Sequence, residues 1–123
     1  MIDKNRIAAA ITSLIRKTQD GTLQWRASPP ADDLLVSTSD ETVQTVYVAE
    51  TAGRLVRLYS YTRRHWADED ASYWQEHVGL ELSDENKKSW WRFPHHPAIA
   101  DLLQAVRYRT VAVDQFLDRL AAE

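Results

Sequence analysis

Four histidines and one acidic run are the groups in this sequence that could perform acid–base or metal chemistry. His65 and His77 lie on either side of the acidic residues 68–70, and His95 and His96 stand between two prolines. Imidazole and carboxylate groups bind zinc, manganese or iron, and a histidine beside a carboxylate can exchange protons near neutral pH. No two histidines are spaced four residues apart, and residues 68–70 lack the pattern of a calcium-binding loop. We therefore expect no metal site and no cofactor.

Other catalytic motifs are missing from the sequence. The three glycines stand alone at Gly21, Gly53 and Gly79, so no phosphate-binding loop can be written through them. The chain has no cysteine nucleophile, and no serine lies in a nucleophile-elbow motif. These absences favour a non-enzymatic protein. A small hydrolase or metal-dependent enzyme that uses His65, His77 and nearby carboxylates is the alternative.

The segment over residues 54–64, RLVRLYSYTRR, alternates apolar side chains with arginine and tyrosine. Such alternation places the two sets on opposite faces of a strand. If the apolar set forms the core together with Val78 and Leu80 from a later strand, the opposite face is aromatic and basic. We predict that this face is exposed, with Tyr73 and Gln75 on it, and that it binds a partner through Arg57, Tyr59, Tyr61, Arg63, His77, Trp90 and Arg92.

The residue types of this face suggest a macromolecular partner. Tyrosine, tryptophan and arginine dominate the binding energy of protein interfaces, and they also hold single-stranded nucleic acid through base stacking and phosphate contacts. The formal net charge of −3 favours a protein partner, because nucleic-acid-binding domains usually carry a basic balance. We therefore predict an interaction module, such as a regulator or an immunity-type protein, with a single-stranded nucleic-acid binder as a further alternative.

Three other interpretations of the aromatic and basic face stay open. The loop over residues 28–41 could cover it, since Leu34 and Leu35 are available there to contact the core. The tyrosine side could itself be the core side, because a register shift of one residue exchanges the two faces of a strand. Two copies of the chain could also pair through this face as a homodimer.

The composition is that of one globular domain. The chain has 123 residues, of which 44% are hydrophobic and 27% are charged, and both fractions are close to the averages for globular proteins. The absence of cysteine fits a reducing compartment, and we expect a cytoplasmic location. Charged residues interrupt residues 1–17, so we predict no signal peptide, no membrane-spanning segment and no membrane partner.

Apolar spacing and capping residues predict the elements that position these groups. Asp3 and the apolar positions after it predict a helix over residues 4–19. Pro97 and Asp114 begin two further helices, separated by a break near Thr110. Runs of β-branched and aromatic residues predict four strands, over residues 42–50, 54–64, 73–83 and 89–93.

This order of elements predicts the fold class α+β, with an N-terminal helix, an antiparallel meander of about four strands, and two C-terminal helices packed on one face of the sheet. A short additional strand could start at Leu23 and Trp25 before Pro29 stops it. The segment Trp91–Pro94 and the apolar positions after it resemble those of small bacterial proteins, a likeness that implies no function. The last helix is expected to bury Phe116, Leu117 and Leu120.

Overall fold

Five strands and three helices make up the part of the chain that the computed structural model describes, namely residues 3–31, 34 and 41–123. In chain order the elements are α1 (Lys4–Gln19), β1 (Arg26–Ser28), β2 (Glu41–Thr51), β3 (Arg54–Trp66), β4 (Ser72–Ser83), β5 (Trp90–Arg92), α2 (Pro97–Thr110) and α3 (Val113–Ala121). The predicted α+β class is confirmed, with its N-terminal helix, antiparallel meander and two C-terminal helices. A short strand does form before Pro29, but it begins at Arg26 and includes neither Leu23 nor Trp25; this strand, β1, makes the sheet five-stranded.

The strands form one antiparallel sheet in which each strand pairs with the next along the chain, in the order β1-β2-β3-β4-β5. A two-residue turn at Ala52 and Gly53 joins β2 to β3, and both residues adopt the positive φ angles, 53° and 76°, that such a turn requires. β3 and β4 form a long hairpin that pairs without a register break as far as Trp66 opposite Ser72. β5 is much shorter and pairs with β4 only over Glu81–Ser83.

Local hydrogen bonds fix where two of the helices begin. The Asp3 carboxylate accepts hydrogen bonds from two backbone N–H groups of the first turn of α1, at 2.9 and 3.3 Å. At the start of α2, Nδ1 of His96 accepts a hydrogen bond from the backbone N–H of Ala98 at 3.0 Å. His96 is therefore the N-cap of α2. Helix α2 ends at Thr110, where the sequence predicts a break.

Helices α1 and α2 pack on one face of the sheet and form the main hydrophobic core with it. Because the apolar residues of β3 and β4 alternate, one side of each strand contributes to this core. Its buried members from the helices and strands include Ile11, Leu14, Val56, Leu58, Leu80, Leu102, Leu103 and Val106. Val78 and Phe93 pack against this cluster while remaining partly exposed.

Helix α3 is amphipathic but does not contribute to the core. The prediction that it buries Phe116, Leu117 and Leu120 is wrong, since their exposed fractions are 62%, 49% and 54%. The chain turns at Ala112 with a positive φ of 58°, and α3 then contacts mainly α2, so its apolar side does not reach the sheet. Ala112, and not Asp114, occupies the N-cap position. Across the part of the chain that the structure describes, no helix is long and apolar enough to cross a membrane.

A second, smaller hydrophobic cluster lies on the other face of the sheet. Leu34 packs there with Val46, Tyr59 and Tyr61. Leu34 belongs to the loop predicted over residues 28–41, and its side chain covers part of the face that the sequence predicts to be exposed. Leu35, the other residue expected to contact the core, lies outside the described residues.

Candidate functional site

The binding residues predicted from the sequence lie on the sheet face opposite α1 and α2, but only some of them are accessible. The exposure predicted for Arg57, Tyr59 and Tyr61 is wrong, because their exposed fractions are only 3%, 0% and 6%. The other predicted residues are half-buried: Arg63, His77, Trp90 and Arg92. The face therefore has a covered part near the β2–β3 turn and an open part towards the far end of the β3–β4 hairpin.

A buried ion pair organises the covered part. Nε of Arg57 donates a hydrogen bond to one carboxylate oxygen of Glu81 at 2.5 Å, and the Tyr59 hydroxyl donates to the other oxygen. The Trp90 ring covers the Arg57 guanidinium, with 3.7 Å between the guanidinium carbon and the ring centroid. Burial and the hydrogen bond to Glu81 raise the pKa of Tyr59 well above its ordinary value. This network is therefore a structural feature of the sheet.

A glycine makes room for the largest side chain of the covered part. Gly79 lies directly opposite Tyr59 in the β3–β4 ladder. A Cβ atom at Gly79 would lie only 2.7 Å from Cζ of Tyr59, which is closer than carbon atoms approach without displacement. The sequence analysis missed this role, because an isolated glycine in a strand indicates a close approach without identifying the partner.

A row of stacked aromatic and imidazole rings runs from the buried Tyr61 into the open part of the face. The Tyr61 and His77 rings stack with centroids 5.4 Å apart, and the His65 and Tyr73 rings stack at 5.5 Å. The Nε2 atoms of His65 and His77 are 2.9 Å apart, a hydrogen-bond distance in which one ring donates and the other accepts. The hairpin thus brings together two histidines that are twelve residues apart in sequence.

Positive charge surrounds this row. The Arg92 guanidinium donates a hydrogen bond to the Tyr61 hydroxyl, and Nη2 of Arg63 lies 3.1 Å from a carboxylate oxygen of Glu41. Burial lowers the pKa of His77 below its ordinary value, and nearby basic side chains lower it further: His65, Arg63, His95 and Arg92. The neutral form of the His77 ring is therefore favoured.

The acidic loop does not complete a metal or acid–base site with these histidines. The Asp68 carboxylate accepts hydrogen bonds from the backbone N–H groups of Asp70 and Ala71, at 2.8 and 2.9 Å, and so stabilises its own turn. Within residues 3–31, 34 and 41–123, no group of three or more histidine, cysteine, aspartate or glutamate side chains could hold a metal ion.

A groove of about 870 Å³ runs along the outer side of β4. Residues 75–78 of β4 line it on one side, and residues 93–97, between β5 and α2, line it on the other. Arg63 and Arg92 reach it from the open part of the sheet face, and Ala100 reaches it from α2. Several of the predicted binding residues therefore meet at this groove, together with His95 and His96.

The β4 strand has a free edge at the groove. β5 covers only Glu81–Ser83, and the next contact is a hydrogen bond from the Phe93 N–H to the Leu80 carbonyl at 2.8 Å. Among the described residues, none pairs as a strand with the outer side of β4 from residue 72 to residue 79. In an antiparallel ladder alternate residues direct both backbone groups to the same side. The backbone N–H and C=O groups of Leu80 point to the outer side of β4. Those of Trp74, Glu76 and Val78 therefore point to the same side.

Exposed aromatic side chains mark the far end of the same hairpin. Trp66, Tyr73 and Trp74 have exposed fractions of 55%, 53% and 49%. The Arg64 guanidinium lies 4.8 Å from the Trp74 ring centroid and 5.6 Å from that of Trp66, which holds both rings in place. The sequence analysis missed Trp66 and Trp74, although aromatic residues beside an acidic turn are an unusual ending for a hairpin that is merely solvated.

Comparison with protein-family models, curated proteins and solved structures found no match for this chain. The features of the molecule that point to a function are the β4 edge and the groove beside it. Both belong to the β3–β4 hairpin, which carries most of the binding residues predicted from the sequence. They lie at the edge of this hairpin and not at the centre of its face.

Proposed function

We propose that this protein is a non-enzymatic binding module that holds an extended segment of a partner protein along the outer edge of β4. The observation that carries the proposal is the free edge over residues 72–79, where no described residue forms a neighbouring strand. Unpaired N–H and C=O groups on a sheet edge are a template for another strand. Many protein domains bind extended peptides by adding them to such an edge.

The surroundings of the edge support binding in preference to mere exposure. Natural proteins protect long free edges with charged residues, prolines or a covering segment. Here the edge carries one charged residue, Glu76, and it has aromatic residues at its far end, Tyr73 and Trp74. A groove of about 870 Å³ lies beside this edge.

The charge distribution favours a protein over a nucleic acid. The rings of the open face stack on one another, which leaves fewer free ring surfaces for nucleic-acid bases to stack on. The turn at the end of the hairpin is acidic, with residues 68–70, and it repels a phosphate chain that runs along the edge. The backbone of a protein segment is uncharged, and it needs no ring surface to stack on.

Selection from a random heptapeptide library displayed on phage tests the proposal. We expect the wild type to enrich peptides, and Glu76→Pro to enrich none of them, because proline removes an N–H that faces the groove and not one that pairs with β3. Glu76→Thr is the matched control, since it removes the same carboxylate and keeps the N–H. Equal enrichment by Glu76→Pro and wild type, or no enrichment by wild type, would contradict the proposal.

Two further measurements identify the occupant of the edge. Binding of a selected peptide should shift the backbone amide signals of Trp74, Glu76 and Val78 in NMR spectra of the wild type, which also covers the case in which Glu76→Pro fails to fold. Sedimentation should show a monomer. A dimer that Glu76→Pro dissociates would identify a second copy of the chain as the occupant and would overturn the proposal of a separate partner.

A further inference from the structure

The two sides of the β4 groove differ in chemistry. An added strand directs alternate side chains to the two faces of the sheet. Those on the open face would meet Arg63, His77 and Arg92, which line the groove on that side. Those on the helix face would meet Val78, Phe93, Pro97 and Ala100.

The open-face side of the groove is cationic even after its internal pairing. The Arg63 side chain remains 41% exposed beside Glu41. Arg92 donates to a neutral hydroxyl, that of Tyr61, so this contact leaves its charge uncompensated. The groups whose charge lowers the pKa of His77 are all basic, namely His65, Arg63, His95 and Arg92, while Glu41 pairs with Arg63 and the Tyr61 ring stacks on His77. Glu76, the carboxylate that lines the groove, alternates with Gln75 and His77 and therefore points to the other face.

The helix-face side of the groove is mainly apolar. Val78 and Phe93 pack against the main hydrophobic core and keep part of their surfaces accessible. Ala100 is exposed on the first turns of α2, and Pro97 begins that helix. Apolar side chains placed here would extend the core over α2 and gain stability from burial.

We propose that the segment bound along β4 alternates carboxylate side chains with apolar side chains. The inference rests on the proposed function and adds the chemistry of the partner. Carboxylates on one side of the added strand meet Arg63, Arg92 and His77, and bidentate pairing with arginine gives both strength and orientation. Apolar side chains on the other side meet Val78 and Phe93. A basic segment would instead be repelled by the same arginines.

Three synthetic heptapeptides test this pattern, each acetylated at the N-terminus and amidated at the C-terminus. The first alternates valine and aspartate, the second has the same composition with its aspartates adjacent, and the third alternates valine and lysine. Titrations followed by NMR should show that the first peptide binds at least about tenfold more tightly than either of the others, the scale of one charge-assisted hydrogen bond. They should also show shifts at the amides of Trp74, Glu76 and Val78.

Variants connect the pattern to the groove. Arg92→Gln should weaken binding of the alternating aspartate peptide about tenfold, whereas Arg26→Gln should leave it unchanged. Arg26 is an exposed arginine on β1, at the opposite edge of the sheet. His77→Gln provides a second variant in case Arg92→Gln is unstable. As the pH is lowered and His77 gains a proton in the wild type, the variant should bind the same peptide more weakly than the wild type does.

The outcomes separate this inference from the proposed function. Equal affinity for the alternating and rearranged aspartate peptides, or tighter binding of the lysine peptide, would overturn the inference. If library-selected peptides still shift the β4 amides in that case, the edge binds a segment of another pattern. If no peptide of any pattern shifts those amides, both proposals are wrong.

Discussion

Glu81 holds the covered part of the sheet face together, because Arg57 and Tyr59 both donate hydrogen bonds to its carboxylate. Glu81→Ala leaves the Arg57 guanidinium buried without this carboxylate, and removing one partner of a buried ion pair costs about 3 to 5 kcal/mol. We expect a loss of that size in the free energy of unfolding, measured by urea denaturation. Tyr59→Phe, which removes only the hydroxyl, should cost about 1.5 to 3 kcal/mol. A Glu81→Ala protein as stable as the wild type would refute this role.

The same network changes how the binding face must be probed. The sequence suggests a double substitution, Arg57→Ala with Tyr59→Ala, as a test of binding through an exposed surface. Both side chains are buried, so this variant should unfold, and a loss of binding would carry no information. Arg92→Gln and Glu76→Pro probe accessible positions instead.

His77 gives the stability of the domain a pH dependence. Its folded-state pKa is lowered, first by burial and then by the cationic groups around it, so the unfolded chain takes up a proton more readily than the folded chain. The stability contributed by the neutral ring is therefore present above its ordinary pKa of 6.5 and is lost as the pH falls below that value. Urea denaturation at about pH 7.5 and about pH 5.5 should show a smaller loss for His77→Gln than for wild type.

At the scale of elements, the loss of a leucine should lower the free energy of unfolding strongly in α2 and hardly at all in α3. Leu103→Ala, in α2, removes a side chain buried in the main core and should cost about 2 to 5 kcal/mol. Leu14→Ala in α1 should behave similarly. Leu117→Ala, in α3, should change stability by no more than about 0.5 kcal/mol, since Leu117 is exposed. Comparable losses for Leu103→Ala and Leu117→Ala would show that α3 packs more closely than it does here.

Strand alternation predicts which face a residue occupies more reliably than whether it is exposed. The period in RLVRLYSYTRR correctly separates Leu58 from Tyr59. The burial of Tyr59 depends on Leu34, in a distant loop, and on Gly79, in the next strand, and no local pattern encodes either contact. The amphipathic spacing of α3 likewise predicts a helix but not what it packs against. The free edge of β4 depends on where β5 ends, which three-dimensional packing decides.

At the scale of the whole molecule, the net charge of −3 and the basic groove should produce selective binding. The alternating aspartate peptide should bind more weakly as salt is raised, because part of its attraction to the arginines is screened. A short oligo-dT should remain unbound at about 0.15 M salt, a condition under which screening extends over about 8 Å. Fluorescence anisotropy with labelled peptide and labelled oligo-dT compares the two directly. Tight, steeply salt-dependent binding of oligo-dT would favour a nucleic-acid function instead.

In the proposed function, the shortness of β5 sets the length of the partner segment that the β4 edge binds. β5 ends at Arg92, the Phe93 N–H donates one more hydrogen bond to β4, and α2 begins at Pro97 with His96 as its cap, so only the four residues 93–96 connect β5 to α2. A longer connection would allow β5 to continue along β4, where it would first pair with the outward-facing backbone groups of Val78. A shorter β5 would expose those of Leu80. The length of the recognised sequence is therefore adjustable by insertion or deletion in one connection, while the arginines and rings that supply its chemistry stay where they are.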